Sequence, residues 1–546
     1  ADYRVAVHSL QTLLRGDSGV LLSLLYGLSL LMLLIACANV ASLYLVRLSL
    51  RSQELAVREA IGASPARLLG QLLGESLVYA MAGGILGLLI AWPVLRLLSD
   101  FAVVHTALAA NINVSEIVMP VFAVALIAGL GSGLVAITAR TDINQTLKEG
   151  GNKVTASVSG VRRRRALLVL QLALSFVMLT TAALLMLSLQ GLSAQYPGYD
   201  VAQVSTANFQ LNASYPTEAQ GIAFTDRLLA EIDALPEVEV SAIAGAPLLR
   251  DPLYGLLPML VEAGGERVET SAFATVVTQG YFRTLGIPLL QGRNFAESDD
   301  ITTDPVAVVN AKFERTYFPG GALGQRLSFT DGNTWRTIVG VVGDVRPTAL
   351  DREEGPSVYT VFRQRPTSII HLFVRSRTAS APLAETIRAT IHGVDSRIAI
   401  EEARPLEELR AQWLAPRALV AKLIMGIGVA ALLISGSGVI GIVSYNVNRS
   451  VREIGVRVAV GATPRNILWL FMRQGLRSYL WGLLLGLLLM LGVALLLEPL
   501  LYRTTDFDVL AYGISALVLS ITVLIAVYLP AVRASALDPV TALHHE

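Results

Sequence analysis

A multi-span α-helical membrane protein, with about seven spans and an α+β domain outside the bilayer, is the fold this sequence predicts. Three observations predict it. The 546 residues are 53% hydrophobic and 16% charged, with a mean hydropathy of +0.57, too apolar for a soluble chain of this size. Seven segments have the length and apolarity of a bilayer-spanning helix, near 20–46, 71–98, 117–138, 166–190, 418–446, 478–497 and 510–531. A charged motif of fourteen residues also occurs twice, at 54–67 and 453–466, each copy between two of these apolar runs.

The elements divide in order as follows. Residues 1–19 read as the end of an N-terminal extracytoplasmic domain, because the chain opens on Ala1 and shows no basic segment with a cleavage site. Residues 20–140 hold three spans, 141–165 a linker and 166–192 a fourth span. Residues 193–416 are far less apolar and form the outside domain, and 417–546 hold three more spans. Arginine and lysine orient the spans. Loop 47–70 carries Arg47, Arg51, Arg58 and Arg67, the linker carries Arg162 to Arg165, and loop 447–477 carries six arginines, so all three are predicted cytoplasmic. Loop 99–116 has no Lys or Arg and is predicted outside with 193–416. The run Arg162 to Arg165 beside a span reads as a topology anchor near anionic lipid headgroups, so membrane lipid is a predicted partner and nucleic acid is not.

The repeat has an offset of 399, with seven of fourteen positions identical and most others exchanged like for like, as Ile61 with Val460 and Ser64 with Thr463. Its local grammar is legible. Glu54 and Arg58 lie four apart, as do Glu453 and Arg457, an order that supports a helix by about 0.2–0.5 kcal/mol. Gly62 and Gly461 stop that helix, and Ser64-Pro65 and Thr463-Pro464 start the next with a hydroxyl cap and a first-turn proline. An interfacial anchor requires no such duplication, whereas two docking sites on a symmetric partner do. Gly83 and Gly87 match Gly482 and Gly486 at the same offset, a small-xxx-small spacing that allows close helix approach.

The outside domain shows two strand–helix–strand units. One runs Val204–Leu211, a helix within 216–234, then Val238–Ile243; the other runs His371–Arg375, a helix within 381–393, then Ile398–Glu402. An insertion near 250–365 lies between them, with β-rich runs at Pro305–Val309 and Thr337–Val345. The chemistry of known catalysts is missing from the sequence. No Gly-x-x-x-x-Gly-Lys-Ser/Thr loop occurs, no two of the six histidines sit at metal-ligand spacing, and the spans carry almost no ionisable residue for an ion relay. Asp299 and Asp300 form an acidic pair on a loop, which reads as solvated rather than catalytic. No catalytic, metal or directly bound cofactor site is predicted. Cys37, the single cysteine, reads as a packing residue of the first span.

Several runs together resemble the FtsX/MacB-type permeases of the ABC superfamily in their duplicated form. They are Leu-Leu-Ile-Ala-Cys-Ala-Asn-Val-Ala at 33–41, both copies of the charged motif, and the tail Leu-Pro-Ala-Val-Arg-Ala-Ser-Ala-Leu-Asp-Pro-Val at 529–540. In the outside domain they are Tyr281-Phe282-Arg283-Thr284-Leu285-Gly286-Ile287-Pro288-Leu289, Val306–Asn310 and Ile338–Val345. The resemblance implies two FtsX-like three-span repeats and a MacB-like periplasmic domain in the inner membrane of a bacterium. It implies that Glu54, Arg58, Gly62, Ser64, Glu453, Arg457, Gly461 and Thr463 couple to cytoplasmic ABC ATPase subunits. ATP would then bind on the partner, and its hydrolysis would move the periplasmic domain for export, with a periplasmic adaptor or outer-membrane channel as further partners. An FtsX-like regulator of a cell-wall hydrolase and an anchored interaction module without ATPase are the alternatives. The tail motif is degenerate in the first copy, where Arg140-Thr141-Asp142-Ile143 is the best match.

Overall fold

The computed structural model describes residues 18–100, 121–127, 158–249, 255–378, 383–497 and 508–535, except 52–53, 55–56, 59–60, 62–63, 125, 212–214, 216, 264–265, 330–333, 349, 351–354 and 461. The chain forms two compact units, 1–191 with 417–546, and 192–416. In chain order the elements are helices α1 (Ser18–Leu50), α2 (Pro65–Asp100) and α3 (Val158–Ala194), then β1 (Val204–Gln210), α4 (Glu218–Asp233) and β2 (Val238–Ala244). The insertion holds β3 (Leu256–Ala263), β4 (Glu266–Val277), α5 (Tyr281–Leu285), β5 (Leu289–Gly292), β6 (Val306–Asn310), α6 (Ala311–Tyr317), β7 (Arg326–Phe329), β8 (Trp335–Val342) and β9 (Ser357–Val361). There follow β10 (Ile369–Ser376), α7 (Leu383–Val394), β11 (Ile400–Pro405), and helices α8 (Leu406–Arg449), α9 (Val451–Ala459), α10 (Pro464–Leu497) and α11 (Val509–Ser535).

Six helices among the described residues are long and apolar enough to cross a membrane: Leu24–Tyr44, Leu73–Pro93, Arg164–Ala194, Leu406–Asn448, Pro464–Leu497 and Val509–Arg533. They correspond to six of the seven predicted spans. The third, 117–138, lies outside the described residues except for 121–124 and 126–127, which are helical.

The span Arg164–Ala194 is 78% buried and the other five are 11–28% buried, so α3 is the hub of the membrane unit. One cluster packs Leu28 and Ile35 of α1 with Met178 and Ala182 of α3 and Ile424 and Ala431 of α8. Another packs Val177 and Leu184 of α3 with Met490 of α10 and Ala511 of α11. Lipid offers no hydrophobic gain for helix association, so close packing and polar contacts between helices matter more here. Both occur on α3. A Cβ on Gly482 would stand 2.7 Å from Leu172 Cβ, and one on Gly486 would stand 3.0 Å from the Ala173 carbonyl oxygen, so these two glycines bring α10 onto the backbone of α3. The matching Gly83 and Gly87 have nothing within 4 Å among the described residues.

The polar contacts join α8 to α3 and to α1. Ser175 shares a 2.5 Å hydrogen bond with Ser435, Gln171 Nε2 donates to the Ile434 carbonyl at 3.3 Å, and Asn39 Nδ2 donates to Ser437 Oγ at 3.1 Å. Asn39 and Gly438 are equivalent at the 399 offset, and Asn39 Oδ1 lies 2.6 Å from where a Gly438 Cβ would be. Equivalent positions of a duplicated unit touch only next to the pseudo-two-fold axis that relates the copies. The α1–α8 crossing therefore lies close to that axis.

In unit 192–416 the two strand–helix–strand units form a four-stranded antiparallel sheet of order β11-β1-β10-β2. This is the split βαβ arrangement that two such units produce. Helices α4 and α7 cover one face through Phe224, Leu228, Ile232, Ile387 and Ile391. Thr217 caps α4, accepting from the Gln220 amide at 3.3 Å. The insertion contains more sheet than its two β-rich runs suggest. Strands β4-β3-β7-β8-β6-β9 pair in succession, and β9 returns to β4 in parallel register, Phe273 opposite Ser357 through Val277 opposite Val361. The ring is closed, which removes the free edges of those strands. Its interior is filled by Met259, Val261, Val309, Phe313, Leu327 and Ile338.

Candidate functional site

The two copies of the charged motif occupy corresponding places between spans. In the second copy α9 carries Glu453 and Arg457 one turn apart, joined at 2.5 Å. In the first copy Glu54 and Arg58 are both helical and joined at 2.6 Å. Ser64 and Thr463 each stand one residue before a helix that begins on proline. The Ser64 carbonyl accepts from the Arg67 amide at 3.0 Å and the Thr463 carbonyl from the Asn466 amide at 2.9 Å, so the two restarts have the same main-chain geometry. Gly62 and Gly461 lie outside the described residues.

Each loop also leaves apolar side chains uncovered by the rest of the chain. Ile61 is 81% exposed and its equivalent Val460 is 83% exposed; Val57 and its equivalent Val456 are 57% and 50% exposed. On α9 these stand opposite Ile454, which is buried at 3% exposure against the bundle. Each loop thus carries an apolar, ion-paired face that the described chain leaves uncovered. Reading Ile61 and Val460 only as conservative exchanges misses this. The signal was available, because both are β-branched residues just before a helix-stopping glycine.

The loops differ in their anchorage. Arg51 reaches Glu75 at 3.2 Å, Gln71 Nε2 donates to Glu75 Oε1 at 3.3 Å, and Arg58 Nη1 donates to Gln71 Oε1 at 3.1 Å. This chain ties the first motif to α2. At the 399 offset Arg51, Gln71 and Glu75 become Ser450, Leu470 and Gln474, so the second motif has no such network. Glu75, within the second predicted span, is thus an ion-pair partner of the first loop.

The acidic pair of the outside domain has a structural role. Asp299 is buried, takes two hydrogen bonds from Arg293 at 2.7 and 3.0 Å, and accepts from the Ala296 amide at 2.8 Å. The Arg293 hydrogen bond, helped by that amide, holds the Asp299 carboxyl below the usual carboxylate range although burial pushes it up. Asp300 closes its own turn through Thr302. A depressed carboxylate contributes stability that is complete above the unfolded value of about 4 and is lost as pH falls through the folded one. D299N is therefore expected to destabilise the protein at pH 7, with the two melting curves converging as pH falls below the usual carboxylate range in a pH series of thermal unfolding.

Among the described residues no three His, Cys, Asp or Glu side chains come together as a metal set. His371 instead lies buried in the sheet, its Nδ1 2.8 Å from Asn208 Oδ1.

Comparison with known proteins agrees with this layout. Residues 26–142 and 425–539 match the family model described as FtsX-like permease C-terminal, and 166–390 match that of the MacB-like periplasmic core domain. The chain is 29% identical over 346 residues to "Macrolide export ATP-binding/permease protein MacB 1/2" of Paracoccus denitrificans, covering 59% of this chain and 49% of that one. It is 30% identical over 342 residues to "Macrolide export ATP-binding/permease protein MacB 2" of Aeromonas hydrophila, covering 59% and 50%. Among solved structures, the periplasmic region of MacB from Actinobacillus actinomycetemcomitans aligns at 15% identity and a TM-score of 0.29, covering 40% of this chain and 96% of that one. The chain spans about half the length of the relatives it matches. Two permease regions, one before and one after a periplasmic core domain, account for most of the sequence, and the chain belongs to the FtsX/MacB-type permeases.

Proposed function

We propose that this permease couples a separate cytoplasmic ABC ATPase to its periplasmic domain, and that the two motif loops are the docking sites. The observation that carries this reading is the pair of matched surfaces: a Glu–Arg pair with two exposed apolar residues, held at one offset in both halves. ATPase subunits that close as a pair on binding ATP would take hold of both loops at once. Their closing would shift the spans and move the periplasmic domain, a mechanotransmission in which material is driven from the outer face of the inner membrane rather than carried through a pore. Export is supported by the relatives, whose name joins export, ATP binding and permease. On this reading ATP would sit on the ATPase, and a periplasmic adaptor or outer-membrane channel would complete the path.

Charge reversal tests the coupling. R58E/R457E turns two i,i+4 pairs worth about 0.2–0.5 kcal/mol each into like-charge pairs that cost a similar amount, and removes the Arg58–Gln71 hydrogen bond, so a melting curve of the variant is the control for folding. The expected result is loss of the ATPase from protein purified out of native membranes, read by mass spectrometry of the copurified subunits. Retention of the ATPase at the wild-type level would leave the loops as interfacial anchors only.

A further inference from the structure

A crevice of about 80 Å³ opens among α3, α8, α10 and α11, away from the motif surfaces described above. Its rim is polar: Arg164 and Arg165 of α3, Asn446 of α8 and Gln474 of α10. Its walls are apolar, with Leu168, Val443 and Phe471 among them. Arg164 lies with its guanidinium carbon 4.6 Å from the Tyr445 ring centroid, so the charge is held in place beside the rim. No Asp or Glu is among the described residues that line the crevice. Arg164 and Arg165 are the charged side chains among these described lining residues.

The crevice lies toward the ends of its apolar helices rather than at their middles. Arg164 begins one membrane span and Asn446 lies at the end of another. Helix α10 has 34 residues, about 51 Å at 1.5 Å per residue, against about 30 Å of hydrocarbon. About 20 Å of its length therefore extends beyond the hydrocarbon. A cavity of this volume admits a small polar group such as a phosphate with the first methylenes of a chain.

We propose that this crevice binds one anionic glycerophospholipid, its phosphate against Arg164 and Arg165 and one acyl chain along the apolar wall. Basic pockets between spans at this level are suited to such headgroups because two guanidinium groups supply charge-assisted hydrogen bonds in low dielectric. The site differs from a general attraction of the basic run for the membrane, because it needs both the two rim arginines and the space behind them.

Native mass spectrometry of the delipidated full chain, offered equal amounts of dioleoylphosphatidylglycerol and dioleoylphosphatidylcholine, tests it. The expected result is one retained phosphatidylglycerol, preferred by at least about tenfold. R164Q/R165Q should lose that preference, and V443F, which keeps both charges and fills the crevice, should lose the bound lipid. R162Q/R163Q removes the same charge from the same run and should retain it. Equal retention of phosphatidylcholine, equal loss in R162Q/R163Q, or displacement of the lipid by inorganic phosphate alone would overturn the proposal. If R164Q/R165Q does not fold, V443F decides: loss of lipid supports the site and retention overturns it.

Discussion

A chain carrying Ile61→Asp and Val460→Asp is expected to purify without its ATPase and to give no stimulation of ATP hydrolysis. Each substitution places a carboxylate at the most exposed apolar point of one loop. At the centre of an interface such a side chain is worth about 2 kcal/mol or more, close to a thirtyfold change in affinity. Two loops engaging paired subunits bind with avidity, so either single variant retains part of the association and the double variant loses nearly all of it. Folding supplies the control. Both side chains are more than four-fifths exposed in the chain alone, and exposed positions tolerate substitution within about 0.5 kcal/mol. A double variant that keeps the wild-type melting temperature and loses the ATPase supports docking. One that keeps both shows that Ile61 and Val460 face no partner. The first loop, tied to α2 through Arg51, Gln71 and Glu75, has less freedom to lose on binding than the second. I61D is therefore expected to cost more than V460D.

What the sequence made legible follows from how local each signal is. Spans are long apolar runs, so six of them correspond to described helices, and the restart at Pro464 was readable from the hydroxyl–proline pair before α10. The two strand–helix–strand units announce themselves by alternation and by helical periodicity, and β1, α4, β2, β10, α7 and β11 follow them closely. The barrel is different. It closes by pairing Phe273 with Ser357 in parallel register, a contact between segments distant in the chain that no local pattern encodes. Strands β3, β4, β7 and β9 find their partners around that ring and β5 finds its partner in β8, so none of the five is legible from its own run alone. The candidate site divides in the same way. Glu54 with Arg58 and Glu453 with Arg457 were visible as i,i+4 pairs, while the tie from Arg51 to Glu75 crosses between helices and required the structure. The exposure of Ile61 and Val460 likewise depends on what the fold leaves uncovered.

The matched glycine pairs separate what is repeated in sequence from what is repeated in contact. G482A/G486A is expected to destabilise the membrane unit strongly, and G83A/G87A to change it little. At Gly482 the added carbon would stand 2.7 Å from Leu172 Cβ and 3.3 Å from the Val169 carbonyl oxygen; at Gly486 it would meet Phe176 Cδ1 at 2.9 Å and the Ala173 carbonyl oxygen at 3.0 Å. Backbone atoms cannot give way as a flexible side-chain tip can, so α10 must move off α3. Overpacking of this kind costs about 1–3 kcal/mol per site. The displaced surface is that of the helix on which the rest of the bundle packs, so the loss extends to Met490 and Ala511 in the neighbouring cluster. At Gly83 and Gly87 the same carbon meets nothing within 4 Å among the described residues, and alanine adds about 1 kcal/mol of helix propensity per site. Thermal unfolding of the detergent-solubilised chain should therefore show a lower midpoint for G482A/G486A and an equal or higher one for G83A/G87A. Equal destabilisation by the two pairs would mean that the first half buries its glycines as the second does, and that the two three-span units share their packing as well as their sequence.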